Sequence, residues 1–222
     1  MEVERLRERV IELAQKEKVI AIVRGVQSDQ CMKVAEALYE GGIRMMEITY
    51  DQKEPESWPK TAQAIGDIAK EFKGRLFVGA GTVTSTELVE MTASAGGLFI
   101  ISPDTNPDVI RRTRELELVS LPGALTPTEI VTAHMAGADF VKVFPAADLG
   151  PGYLKAVRAP LSHIKLMAVG GINAENVGAY LKAGAVGVGV GGNLANRVWI
   201  ESGEFDKITE AAKEIVAAAK SI

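Results

Sequence analysis

Eight short runs, each apolar on nearly every residue and each followed by a turn signal, constrain this chain most. They are VIAIVR at 19–24, IRMMEIT at 43–49, RLFVGAG at 75–81, LFIIS at 98–102, LELVSLP at 116–122, DFVKVFP at 139–145, IKLMAVGG at 164–171 and VGVGVGG at 186–192. A strand that is apolar on both faces needs cover on both faces, which is the situation of a parallel sheet. Helical patterns fill the intervals, near 28–40, 57–72, 85–95, 106–114, 126–136, 152–158, 173–183 and 205–219. Start signals support several of them: Thr84 or Ser85 ahead of Glu87, Thr126 ahead of Glu129, and Asn173 ahead of Asn176. Gly41, Gly96, Gly137 and Gly184 punctuate helix ends. Eight strand–helix units in about 200 residues imply an α/β protein closed as a (β/α)8 barrel, rather than an open doubly wound sheet. Val3, Leu6, Val10 and Leu13 recur at helical spacing ahead of the first run and predict an extra N-terminal helix. No linker or low-complexity stretch interrupts the pattern, so residues 1–222 read as a single domain.

Composition removes several function classes. A net charge of -4 lacks the basic surface of a general nucleic-acid binder. The one cysteine, Cys31, allows no internal disulfide and no cysteine-rich metal cluster; its helical context beside Met32 and Val34 reads as packing. His134 and His163 have no ligand-like neighbours, and no cluster has metal-ligand spacing, so no metal is expected. The charged start, MEVERLRERVIELAQKEK, has no apolar signal-peptide core, and no run approaches the roughly 20 apolar residues of a membrane span. A cytoplasmic protein without membrane or nucleic-acid partners is the expectation.

In a barrel of this kind chemistry gathers at the C-terminal ends of the strands. Polar residues inside apolar runs are therefore the places to look. In VKVFP a period of two sets Phe140, Lys142 and Phe144 on one face and Val141 and Val143 on the other. Burial disfavours an ammonium, so the Lys142 pKa should fall, and a neutral amine can attack a carbonyl to form an imine. The plainer reading is a buried ion pair. Glu47 shares a face with Met45 and Thr49, and can either carry protons for Lys142 or simply pair with it. Arg24 ends the first run on the face of Ile20 and Ile22 and suits a substrate carboxylate. Arg44 falls on the opposite face from Glu47 and reads as structural, pairing among the helices. GAGT at 79–82, VGGI at 169–172 and VGVGG-N at 188–193 offer backbone amides; the two late loops together suggest an anion cradle, although turns and tight packing also use glycine.

In their order along the chain, VIAIVRG, GGIRMMEIT, GAGTVT, FIISP, LPGALTPTE, VKVFPA, VGGI and VGGN closely resemble the blocks of the KDPG/KHG aldolase family, as does the tail SGEFDKITEAAKEIV. KDPG is 2-dehydro-3-deoxyphosphogluconate and KHG is 4-hydroxy-2-oxoglutarate. The resemblance covers essentially the whole chain. It implies a class I aldolase in which Lys142 forms the imine and Glu47 is the general acid/base, acting through a water. It places Thr49, Thr82, Pro103 and Phe144 around the pyruvyl group, and Gly170, Gly171, Gly191, Gly192 and Asn193 around a distal phosphate. It implies a homotrimer, a small keto-acid substrate, and no cofactor beyond the covalent imine.

Some positions depart from the family pattern. Asp51 stands where many members carry a carboxylate-binding arginine, and Arg24 matches the arginine that does this work in the phosphogalactonate branch. Val169 and Asn193 stand where the gluconate branch has threonine and serine, and DQKEPESWP at 51–59 is longer and more acidic than the pattern. The expected substrate is 2-dehydro-3-deoxy-6-phosphogluconate or its galactonate epimer, cleaved to pyruvate and glyceraldehyde 3-phosphate, with 4-hydroxy-2-oxoglutarate as a further substrate giving glyoxylate. Two alternatives share the barrel. A phosphosugar isomerase or epimerase would not need a lysine in an apolar sixth run, and a non-catalytic ligand-binding barrel would show no turnover.

Overall fold

A computed structural model describes residues 2–222, with side chains described from residue 5 onward. Val3, part of the expected apolar stripe of the first helix, has its side chain outside the described residues. The strands are β1 (Val19–Val23), β2 (Met45–Thr49), β3 (Phe77–Gly81), β4 (Phe99–Ile101), β5 (Val119–Leu121), β6 (Gly123–Ala124), β7 (Val141–Val143), β8 (Leu166–Val169) and β9 (Gly187–Val190). The helices are α1 (Glu2–Glu17), α2 (Ser28–Glu40), α3 (Trp58–Glu71), α4 (Thr86–Ser94), α5 (Pro107–Glu115), α6 (Pro127–Met135), α7 (Ala146–Arg158), α8 (Val177–Lys182), α9 (Arg197–Glu201) and α10 (Phe205–Lys220).

All strand pairs are parallel, in the order β5-β4-β3-β2-β1-β9-β8-β7-β6. The two ends of that order, β5 and β6, are consecutive in the chain, so the sheet closes on itself. The fifth expected run, 116–122, holds β5 and ends at Pro122, which has no N–H to give to a ladder; an unexpected two-residue strand, β6, follows it. The carbonyls of Ser120 and Pro122 nevertheless accept from Phe140 N and Lys142 N, and this stitches the seam.

Alternation splits the apolar residues into two bodies. Ala21, Val23, Met46, Ile48, Val78, Ala80, Val141 and Val143 face outward to the helices, while Ile20, Met45, Phe77, Phe99, Val119, Phe140 and Met167 fill the barrel. Helix α1 covers the N-terminal end. Val10 and Ala14, one turn apart, join the interior cluster, and Leu6 stays 39% exposed, so the packing stripe is narrower than its periodicity implied. Arg7 pairs with Asp139 just ahead of β7, and Arg9 lies over the Phe77 ring.

Local signals account for most boundaries. Ser85 caps α4 by accepting from Leu88 N, and Thr126 with Glu129 forms a reciprocal capping box on α6. Asn173 and Asn176 bond each other's backbone in a turn, and α8 begins only at Val177, later than its pattern suggested. The region expected as a helix from 152 starts at Ala146 and is broken at Gly150, whose φ of 73° interrupts it ahead of Pro151. After α2 the left-handed residue is Gly42, φ 95°, rather than Gly41. Gly41 serves close packing instead: a Cβ there would meet Ala212 Cβ at 2.2 Å. The five-residue helix α9 carried no periodic signal long enough to read.

Candidate active site

The two polar residues of the apolar runs both lie inside the barrel. Lys142 is the middle residue of β7 and only 5% exposed; Glu47 is the middle residue of β2 and 1% exposed. They face a void of about 10 Å³ walled by Ile20, Ile22, Ile101, Leu121, Met167, Val169 and Gly189. That volume is near the minimum that accommodates one water. Burial lowers the Lys142 pKa; Glu47 opposes that fall and Arg24 adds to it. Burial raises the Glu47 carboxyl to about 7 against the pull of Lys142 and Arg24. An amine eased toward neutrality and a carboxyl poised near pH 7 are chemically able to act as nucleophile and proton carrier.

Room for the carboxylate comes from glycine. In β3, Gly79 and Gly81 alternate inward with Phe77, and Gly79 sits in register with Glu47. A Cβ on Gly81 would lie 2.3 Å from Glu47 Oε2 and 3.0 Å from Thr49 Cγ2. A Cβ on Gly79 would lie 2.4 Å from the Phe99 ring, and one on Gly189 2.9 Å from Val169. The GAGT glycines therefore make space within the barrel, a function the motif reading divided between turn geometry and ligand approach.

A larger space opens among the loops. Arg24, Thr49 and Thr82 line a cleft of about 830 Å³ with Gln27, Gln52 and Lys60, among residues of the loops that follow β1, β2 and β3. This is the larger cavity, but the buried amine and carboxylate line the smaller one. Arg24 is exposed just beyond β1. Thr82 has φ 56°, a strained conformation for a β-branched residue. Four buried side-chain polar atoms lack partners among the described residues, and two of them, Glu47 Oε2 and Thr82 Oγ1, are here. Buried groups of this kind call for an explanation, and a catalytic role is one.

The remaining expected residues gather on the opposite arc. Phe144 ends the run of Lys142, whose Nζ lies 4.8 Å from the ring centroid. The Pro103 carbonyl packs on Gly123, the register partner of Lys142. Gly170, φ 97°, lies against Phe144 and Pro145, and Gly171, φ 72°, against Ala147. A Cβ added at Gly192 would meet open space, and one at Gly191 would meet Ile22 Cβ at 3.8 Å. Asn193 spends its side chain on structure: Nδ2 donates to the Ile172 carbonyl at 3.0 Å, tying the loops after β8 and β9 together. Neither loop lines the large cleft, so the expected residues occupy three adjoining places rather than one.

Other expectations fall outside the site. Arg44 donates to the carbonyls of Tyr39 and Ile43 and stacks on the Tyr39 ring, closing the end of α2. His134 and His163 are exposed, with ring centroids 5.2 Å apart. Cys31 is buried and its thiol is pushed up to about 12, as a packing cysteine should be. Asp51 turns its carboxylate onto Lys53 N. Among the described residues no helix is long and apolar enough to cross a membrane.

Comparison with known proteins agrees with this geometry. The family model described as KDPG and KHG aldolase matches residues 10–211. The chain is 36% identical over 177 residues to the 2-dehydro-3-deoxy-6-phosphogalactonate aldolase of Escherichia coli K12, covering 79% of this chain and 83% of that one. It is 30% identical over 206 residues to the 2-dehydro-3-deoxy-phosphogluconate aldolase of Treponema pallidum, covering 92% and 95%. Among solved structures, a KDPG aldolase from Legionella pneumophila, in which pyruvate was captured as a covalent carbinolamine, superposes with a TM-score of 0.82 at 26% identity, covering 92% and 97%.

Proposed function

The chain belongs to the KDPG and KHG aldolase family, and from that premise we propose that it is a class I aldolase whose imine forms on Lys142. The substrate is a 2-keto-3-deoxy-6-phospho acid of the gluconate or galactonate series, and the products are pyruvate and glyceraldehyde 3-phosphate. 4-Hydroxy-2-oxoglutarate, releasing glyoxylate, is a further substrate. The placement of Arg24 in the cleft, with the Asp51 carboxylate accepting from Lys53 N, favours the galactonate epimer.

In cleavage, Lys142 Nζ adds to the C2 ketone, and loss of water gives an iminium. Glu47 takes the proton of the C4 hydroxyl, through one water in the void. The C3–C4 bond breaks, its electrons pass into the iminium, and the aldehyde leaves. The resulting enamine is protonated at C3 and hydrolysed to pyruvate and free Lys142. Covalent catalysis of this kind divides one hard step into easier ones. Arg24, Thr49 and Thr82 hold the carboxylate end, Pro103 and Phe144 wall the pyruvyl group, and the amides of Gly170, Gly171, Gly191, Gly192 and Asn193 receive the phosphate. The chemistry asks for no metal or cofactor. A single-domain homotrimer in the cytoplasm completes the proposal, on the strength of the family resemblance; light scattering tests the trimer.

The observation that carries the reading is an amine 5% exposed, with a carboxylate 1% exposed across one small apolar void. Incubation with pyruvate and borohydride should add a stable mass to wild type, and none to Lys142→Ala, which should also lose turnover. An undiminished adduct in the variant removes Lys142 from its role. A pyruvate-release assay across both phosphorylated epimers, their unphosphorylated forms and 4-hydroxy-2-oxoglutarate fixes the substrate.

A further inference from the structure

Thr82 occupies a left-handed backbone conformation, φ 56°, that threonine rarely adopts without outside support. Its neighbours are held by the main chain: Gly81 O accepts from Tyr50 N at 3.0 Å, and Val83 N donates to Ile101 O at 3.2 Å. The carbonyl of Thr82 itself is held by a side chain. Gln52 Nε2 donates to it at 2.9 Å, and Gln52 Oε1 accepts from Thr84 Oγ1 at 2.9 Å. Gln52 thus spans from the loop after β2 to two residues of the loop after β3, with both ends of its amide used. The segment that carries it is anchored in turn, because Trp58 Nε1 donates to the Asp51 carbonyl at 2.7 Å. Meanwhile Thr82 Oγ1, buried and without a partner among the described residues, stands beside the cleft.

We propose that Gln52 is a positioning residue: its amide clamps the strained Thr82, so that the Thr82 hydroxyl and amide are fixed toward the carboxylate end of the keto acid before it binds. This rests on the aldolase reading and extends it to the long, acidic 51–59 segment, which gains a purpose as the mount for Gln52. Without the clamp Thr82 relaxes toward ordinary backbone angles, and the keto acid must reorder it on binding. The loss falls on affinity for the pyruvyl portion, not on the bond-breaking step, because Gln52 touches neither Lys142 nor Glu47.

The test is borohydride trapping with pyruvate at graded concentration, alongside steady-state cleavage. Gln52→Ala should raise half-saturating pyruvate and KM on the order of tenfold, with kcat changed less than about threefold. Gln52→Glu keeps the shape and loses the donor, and should behave similarly. Thr84→Val should show part of the effect and Thr84→Ser should restore it. In a Thr82→Gly background, where left-handed angles carry no strain, Gln52→Ala should shift half-saturation by less than about twofold. An unchanged KM in Gln52→Ala and Gln52→Glu overturns the assignment, as does an equal shift in the Thr82→Gly background. Wild type that traps no pyruvate overturns the aldolase reading and this inference together, whereas trapping by wild type with silent Gln52 variants overturns the inference alone.

Discussion

Replacing Gly81 by alanine tests whether acid/base chemistry depends on the space opposite Glu47. The added Cβ would sit 2.3 Å from Glu47 Oε2 and 2.6 Å from its Cδ, whereas ordinary contact begins near 3.4 Å. The carboxylate must retreat by about 1 Å, since the β3 backbone is fixed by its register with β2. A displacement of that size at a reacting group costs on the order of 10²-fold in rate. Overpacking adds about 1–3 kcal/mol of lost stability. Gly81→Ala should therefore lower kcat about 10²-fold in a coupled pyruvate-release assay, while the lysine still traps pyruvate under borohydride. Gly41→Ala is the control: its Cβ would press on Ala212 Cβ at 2.2 Å and the Thr209 carbonyl at 2.7 Å, in the outer helix layer away from the carboxylate. It should lower the melting temperature without the rate loss. A Gly81→Ala enzyme within threefold of wild-type kcat would refute the reasoning.

Two further outcomes follow from the same geometry. Glu47→Gln should slow cleavage roughly 10²–10⁴-fold with imine trapping intact, and should erase the limb of the kcat/KM profile near pH 7. Its stability has a definite sign. Glu47 ionises near 4.5 unfolded and near 7 folded, so wild type loses up to about 3 kcal/mol as pH climbs through that interval, a slope that denaturation of Glu47→Gln should lack. Asn193→Ala frees the loop after β9 from the Ile172 carbonyl and should raise KM for phosphorylated substrates on the order of tenfold, leaving unphosphorylated ones unaffected; equal shifts for both would remove the loops from phosphate binding.

Elements long enough to repeat their period were legible. Helix α2 has the bounds its pattern predicts, and Lys142 and Glu47 stood out because each is a charge in an otherwise apolar strand. What could not be read were relations between segments. The short strand β6, just beyond Pro122, was not legible because it pairs with β7 while β5 pairs with β4, a fact that exists only once the sheet closes. Gly79 and Gly81 share a face with Phe77 by period two, which is a readable signal, but that they yield space to Phe99 and Glu47 depends on register. Gln52 is an exposed polar residue in a loop with no periodicity, and nothing local distinguishes it from its neighbours. Asn193 was expected at a phosphate, and that its amide bridges two loops is again a relation between segments.

Helix α1 covers the end of the barrel behind Phe77 and Phe99, so that side offers no way to Lys142 and traffic is left to the loop side. On the proposed reaction the aldehyde is free once the C3–C4 bond breaks, whereas the three-carbon acid stays tethered until its imine is hydrolysed. Departure is then ordered, aldehyde before acid, and a new substrate waits for the amine to be released.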